Sequence, residues 1–326
     1  MNASLVPTIS TFARILGVLG LAWLLAGPAA AAEPARNPAF GVMIHYLPGR
    51  GEVRPWLKPE VEGLANALAE MRASYLIVTL GQNNGQYIAP NASMVALCPK
   101  AMVNEPRQDL PLELGRALAA RGIGLMLYLP FRAPQADRYL MDCLGDVDEQ
   151  SATSAGFIRN WSKVIGYWSA HYGPLLKGWW FDGVYNTSGM SGEDWRTLCA
   201  AANRGGRDRL LAFNSGEGLQ RFQTRSAPCQ NLAAGELLDV PAGLRAADAA
   251  PRFHVATPLA QTWGRPGPAR WSSAEIRQRI ADARAANGLF TLDIPLPRDL
   301  QIAPEQVALV RSATGTPEAS HKEARQ

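Results

Sequence analysis

The sequence predicts an α/β protein folded as a single-domain (β/α)8 TIM barrel, and three observations predict it. Short apolar runs alternate with amphipathic stretches from residue 39 to about residue 313. Parallel strands joined by right-handed helical crossovers produce that alternation, and eight such units in under 300 residues match a closed barrel. The turn after the first run, Pro48-Gly49-Arg50-Gly51-Glu52, lacks the G-x-G-x-x-G that a doubly wound dinucleotide-binding sheet carries there. The predicted boundaries are a leader over 1–32, the barrel over 37–313 and a disordered polar tail over 314–326.

The elements follow in order. The first strand is Phe40 to His45, and residues 58–72 then repeat apolar positions at helical spacing. The second is Tyr75 to Leu80, followed by a long loop over 81–110 and a helix near 111–121. The third is Gly124 to Leu129, with a second long loop over 130–152 and a helix near 153–171. The fourth, Gly178 to Asp182, precedes a helix near 192–203; the fifth is Leu210 to Asn214. A weaker sixth segment runs from about Leu232 to Leu238. The seventh, Phe253 to Ala256, precedes a helix near 273–286, and the eighth, Leu289 to Ile294, precedes one near 303–313.

In the first 32 residues Arg14 is the only charge, an apolar stretch follows it, and Ala30-Ala31-Ala32 closes it. These are the parts of a secretory signal, and the stretch is shorter than the ~20 apolar residues that span a bilayer. The expected location is therefore periplasmic or secreted, with no stable membrane insertion after cleavage. Losing Arg14 lowers the net charge from +4 to +3, too little and too evenly spread for a nucleic-acid partner. With 47% apolar and 18% charged residues, the remainder can bury a large core. Cys98, Cys143, Cys199 and Cys229 allow three pairings and contain no Cys-x-x-Cys. Cys98 with Cys143 and Cys199 with Cys229 is the favoured set, because each would join loops after consecutive strands. Neither a metal nor a cofactor is expected, since His, Cys and carboxylates do not cluster at ligand spacing.

In a barrel enzyme the working groups lie where strands end. The polar residues closing the apolar runs are His45, Gln82 with Asn83 and Asn84, Tyr128, Asp182, Asn214, Glu236, Gln261 with Trp263, and Asp293. Amides, aromatics and a few carboxylates around one mouth suit a polyhydroxylated ligand, and the nine Trp add flat faces for sugar rings. The sharpest signal is Asp182, one carboxylate ending Trp179-Trp180-Phe181, with Gly183 to turn the chain away. A charge there is unfavourable unless it is hydrogen-bonded or used. Glycosidic cleavage needs a second carboxylate. Glu236 is best placed for it, with Glu217 and Asp239 as rivals.

At these residues the chain resembles family 29 glycoside hydrolases, the α-L-fucosidases. Phe40-Gly41-Val42-Met43-Ile44-His45 is similar to that family's F-G-x-F-I-H-W-G, and Ala73-Ser74-Tyr75-Leu76-Ile77-Val78-Thr79 to its second strand. Gly122 to Tyr128 resembles its third strand, Trp180-Phe181-Asp182-Gly183 its W-F-D-G, and Gly288 to Ile294 with Ile302-Ala303-Pro304-Glu305 its ending. The resemblance implies that Asp182 attacks the anomeric carbon and that Glu236 is the acid that later serves as base. It also implies that His45 donates to a sugar hydroxyl. Such retaining carboxyl pairs lie about 5–5.5 Å apart. Gln82, Asn83, Tyr128, Trp180, Asn214 and Trp263 are the further candidate sugar contacts. The chain departs from the family where Gly81-Gln82-Asn83-Asn84 replaces a His-His pair and where Asn214-Ser215-Gly216 replaces a segment carrying an Arg. The expected activity is thus release of a fucose-like or related sugar from glycans or exopolysaccharide. The alternatives are an exopolysaccharide endo-hydrolase on the same barrel and a non-catalytic periplasmic carbohydrate binder.

Overall fold

Alternate residues of an extended run face opposite sides of a sheet, and here both sides are apolar, which is the pattern of a parallel sheet covered on each face. A computed structural model describes residues 39–315, apart from 47, 50–51, 102, 104–107, 149, 217, 219–224, 242–250 and 298–300. The predicted leader over 1–32, the chain beyond residue 315 and the rival carboxylate Glu217 lie outside the described residues.

Seven strands form one parallel sheet: β1 Phe40–Ile44, β2 Tyr75–Thr79, β3 Gly124–Pro130, β4 Leu176–Asp182, β5 Leu210–Phe213, β6 His254–Pro258 and β7 Leu289–Asp293. Their order is β5-β4-β3-β2-β1-β7-β6. Met43, Ile77, Met126, Tyr128, Trp180 and Ala212 pack together on one face. The residues between them, among them Val42, Leu76, Leu127, Phe181 and Phe213, pack against the helices on the other. Burial of such side chains contributes roughly 1.5–3 kcal/mol each. Gly41 is required by this packing, because a Cβ there would meet the Tyr75 ring at 2.2 Å.

Among the described residues eight α-helices accompany the strands: α1 Lys58–Glu70, α2 Ala92–Leu97, α3 Leu110–Ala119, α4 Arg138–Leu144, α5 Ala155–Tyr172, α6 Gly192–Asn203, α7 Ser273–Ala285 and α8 Pro304–Thr314. Their starts are written in the sequence. Ser191 with Asp194 and Ser272 with Glu275 form capping boxes on α6 and α7, and Ser154 accepts from Phe157 N on α5. Arg209, just before β5, is 2% exposed and donates to the carbonyls of Ser169, Gly173, Leu176, Ala202 and Arg204 at 2.7–3.2 Å. It thereby satisfies the orphan carbonyls where α5 and α6 end.

The structure departs from the sequence expectation at four points. The two long loops contain the short helices α2 and α4, capped by Asn91 and Asp137. The expected sixth strand is an irregular stave: Leu232 is bridged to Arg252 and Glu236 to Ala256 of β6. On the β5 side Asn231 N and Leu232 N both donate to Leu211 O at 3.2 Å, and the Asn231 side chain supplies the other bonds, accepting from Leu211 N and donating to Arg209 O, each at 2.8 Å. A tight turn from Glu236 N to Ala234 O then breaks the extended path. Among the described residues the sheet therefore has seven regular strands, where eight were expected. Thr314, placed in the tail by the sequence reading, instead ends α8.

Both favoured disulfides are formed, Cys98–Cys143 and Cys199–Cys229, with Cα atoms 5.7 and 5.9 Å apart. The first joins the segment after β2 to α4, and the second joins α6 to the segment after β5. Among the described residues no helix is long and apolar enough to cross a membrane.

Candidate active site

The period of two that packs the sheet also gathers the polar residues. His45 continues the phase of Met43, Tyr128 that of Met126, Asp182 that of Trp180 and Asn214 that of Ala212, so all four meet on one face at the carboxyl ends of their strands. Asp293, in step with Leu289 on β7, joins them and hydrogen-bonds His45.

Asp182 is the hub. One of its oxygens accepts from the Tyr128 hydroxyl and the other accepts from Asn214 Nδ2 at 2.7 Å. Burial pushes the Tyr128 hydroxyl well above its ordinary range, and the adjacent Asp182 charge adds to the effect, so it stays a protonated donor. Gln82 also hydrogen-bonds that hydroxyl. Gly183 leaves the strand at φ +77°, a conformation that suits glycine, and turns the chain away beneath the carboxylate.

Asn214 is only 1% exposed, and its Nδ2 donates to Glu236 Oε2 as well as to Asp182 Oδ1. A single nitrogen within hydrogen-bond reach of two oxygens keeps those oxygens at most roughly 6 Å apart. The Asn214 side chain is fixed in turn by Gly216 N, which donates to its Oδ1 at 3.0 Å. Asn214, expected to touch sugar, thus couples the two carboxylates. Asp239, a rival partner, has a side chain 93% exposed and pairs with Arg270 at 2.7 Å, away from the site.

His45 Nδ1 lies 2.8 Å from Asp293 Oδ1, and the imidazole edge meets Tyr128 and Trp263 with ring centroids at 5.6 and 6.2 Å. Burial works to lower the His45 pKa, but the charge and hydrogen bond of Asp293, with smaller contributions from Asp182 and Glu236, carry it above the ordinary value. Asn83 is exposed and lines an open cavity with Tyr128, Asp182, Arg132 and Tyr185. Trp180, expected to contact sugar, is 2% exposed and packs edge-on to His254 beneath the carboxylates, so it fills the floor and offers no stacking face.

Two cavity residues escaped the sequence reading. Arg132 follows Tyr128 and Pro130 at the same period of two, a signal that could have placed it; it pairs with buried Asp146 and donates to Ser151 O at 2.7 Å. Tyr185, three residues after Asp182, is an exposed aromatic at the rim. Among the described residues no group of three or more His, Cys, Asp or Glu could hold a metal ion.

No protein-family model and no curated protein sequence matches the chain. Solved structures do. A family 29 α-L-fucosidase from Bacteroides thetaiotaomicron superposes with a TM-score of 0.60 at 14% identity, covering 86% of this chain and 71% of its own. An α-L-fucosidase isoenzyme from Paenibacillus thiaminolyticus gives 0.60 at 16% identity, over 85% of this chain and 72% of its own. An endo-fucoidan hydrolase of glycoside hydrolase family 107 gives 0.61 at 13% identity, over 85% and 90%. At such identities the likeness is one of fold, and the fold of this chain is that of these glycoside hydrolases.

Proposed function

We propose that the protein is a retaining glycoside hydrolase, with Asp182 as nucleophile and Glu236 as acid and then base, on a barrel that residues 231–237 close. The observation that carries this reading is the shared donor: Asn214 Nδ2 bonds both carboxylates. Inverting enzymes separate the pair by about 6.5–9.5 Å to admit a water, whereas retaining enzymes hold it at about 5–5.5 Å. A pair tied to one nitrogen suits the second class.

In the first step Glu236 gives its proton to the glycosidic oxygen while Asp182 bonds to the anomeric carbon and the leaving alcohol departs. In the second, Glu236 takes a proton from water, whose oxygen displaces Asp182 from the same carbon. Tyr128 and Asn214 orient Asp182 and temper its charge, while the amides of Gln82 and Asn83 and the His45 ring are the groups available to sugar hydroxyls. The fucosidases and the fucoidan hydrolase that share the fold support a fucose-like sugar as substrate. An endo-acting form of the same chemistry is the second reading, favoured by Tyr185 standing exposed at the cavity rim, where a further sugar could stack. The two disulfides support an exported protein.

The test is turnover of a panel of aryl α- and β-glycosides and of fucoidan. Asp182→Asn should lower turnover at least ~10³-fold while the protein stays folded. Glu236→Gln should slow natural leaving groups by ~10²–10⁴ and activated aryl groups far less, since the latter need no protonation. Equal rates for wild type and Asp182→Asn, or no hydrolysis by wild type, would leave a carbohydrate binder on this fold.

A further inference from the structure

We propose that Asp293 is a positioning residue that locks His45 with its Nε2 aimed at the sugar site, so that the ring meets the two acids of the mouth in one fixed orientation. This deepens the hydrolase reading and rests on it for its catalytic consequence, though not for the pairing itself.

The geometry is that of a clamp. Asp293 is fully buried on β7, and its two oxygens are used separately, Oδ1 by His45 Nδ1 at 2.8 Å and Oδ2 by Gly264 N at 2.6 Å. Gly264 has φ +62°, and a Cβ added to it would come within 2.9 Å of His45 Cβ. The turn that orients the carboxylate therefore also backs the imidazole, and Trp263 before it and Tyr128 opposite close on the ring edges. With Nδ1 committed to a carboxylate, the proton on that nitrogen is fixed. Among the described residues Nε2 has no protein partner, and it is not sealed from solvent. The side chain retains 12% exposure. A buried carboxylate behind an imidazole with one free nitrogen is an arrangement for presenting a donor.

The charged groups facing His45 are Asp293 on β7, Asp182 on β4 and Glu236 on the stave between β5 and β6; all favour the cation. Where the ring holds its second proton, it offsets part of the charge of the two carboxylates opposite. It also gives a sugar hydroxyl a charge-assisted donor that a neutral ring does not.

The experiment is the pH titration of the His45 ring by NMR in wild type and Asp293→Asn, beside the pH profile of kcat/KM on the best glycoside from the panel. The chain has four histidines, so the resonance is readily assigned with His45→Gln. Asp293→Asn should lower the His45 titration, move the alkaline limb of kcat/KM down with it and reduce kcat/KM at least ~10-fold. An unmoved ring titration overturns the proposal, as does a moved titration with an unmoved profile. If Asp293→Asn does not fold, wild type decides: a ring that titrates at or below 6.5 overturns it. Absence of any hydrolysis by wild type would instead overturn the hydrolase reading, and the ring titration would still decide whether Asp293 sets the charge on His45.

Discussion

Strand β5 carries one buried polar side chain at each end, and the two do opposite things. Arg209, before its first residue, spends its guanidinium on five main-chain carbonyls. Asn214, after its last, spends one amide nitrogen on two carboxylates from different elements. At the lower end the acceptors belong to helix termini and to the first residue of β4, and cannot be exchanged without unravelling them. At the upper end the acceptors are side-chain anions that a substrate can engage. The difference teaches that burial and hydrogen bonding alone do not mark a functional group; the nature of its partner does. A buried side chain bonded to backbone builds the fold, and one bonded to other side chains across strands builds a site.

The largest effect expected from breaking this comparison is at the lower end. Arg209→Met leaves buried carbonyls without donors, each worth roughly 1–3 kcal/mol. Burial has already drawn the Arg209 pKa down to about 10, so its charge is poorly compensated, and part of the loss is recovered by removing it. The net should be a destabilisation of about 4 kcal/mol, read by urea unfolding, with kcat per folded molecule unchanged. A variant that stays stable but loses turnover would place Arg209 with the site instead.

His254, which opens β6, sharpens the contrast because its partners are mixed. It is fully buried, with Nδ1 at 2.9 Å from Ala233 O and Nε2 at 2.7 Å from Thr291 Oγ1. Burial lowers its pKa from the ordinary 6.5 to about 4. The unfolded chain therefore binds the proton more readily than the fold does. The stability that neutral His254 contributes is complete above pH 6.5 and is lost as pH falls toward about 4. At about 1.36 kcal/mol per pH unit that loss reaches about 3 kcal/mol. His254→Gln should flatten this part of the stability curve; a curve that keeps its slope would show that other groups set it. His45, with a carboxylate for its partner, should show the reverse titration.

Much of this was legible. Each apolar run ended in a polar residue, and period two carried His45, Tyr128, Asp182 and Asn214 to one face, because strand parity follows from sequence alone. The disulfides were legible for the same reason, since strand order fixes which loops are neighbours. The sixth segment holding Glu236 was legible as a stave but its irregularity was not, because Asn231 side-chain bonds interrupt its ladder and leave no periodic trace. Trp180, a candidate sugar contact by sequence, lies in the floor because parity two residues below Asp182 points it into the packed face. Arg209 gave no signal at all: an Arg opening a strand normally lies in solvent, and only the convergence of two helix ends buries it.

The smallest effect lies at the upper end of β5, and it decides whether Asn214 is a coupler or scaffold. Asn214→Ala removes the bridging donor but leaves Tyr128 on Asp182, so Asp182 keeps one anchor. A hydrogen bond to a charged group is worth roughly 1.5–3 kcal/mol, and half of the support remains, so kcat/KM should fall about 30-fold, or about 2 kcal/mol. Stability should change less than for Arg209→Met, because the deleted amide served side chains rather than helix ends. Asn214→Asp is the stricter case: it sets three like charges where one donor held two, so its loss should exceed that of Asn214→Ala. If both variants kept wild-type kcat/KM and both unfolded at lower urea, Asn214 would belong with Arg209, and the two carboxylates would be neighbours held by the backbone alone.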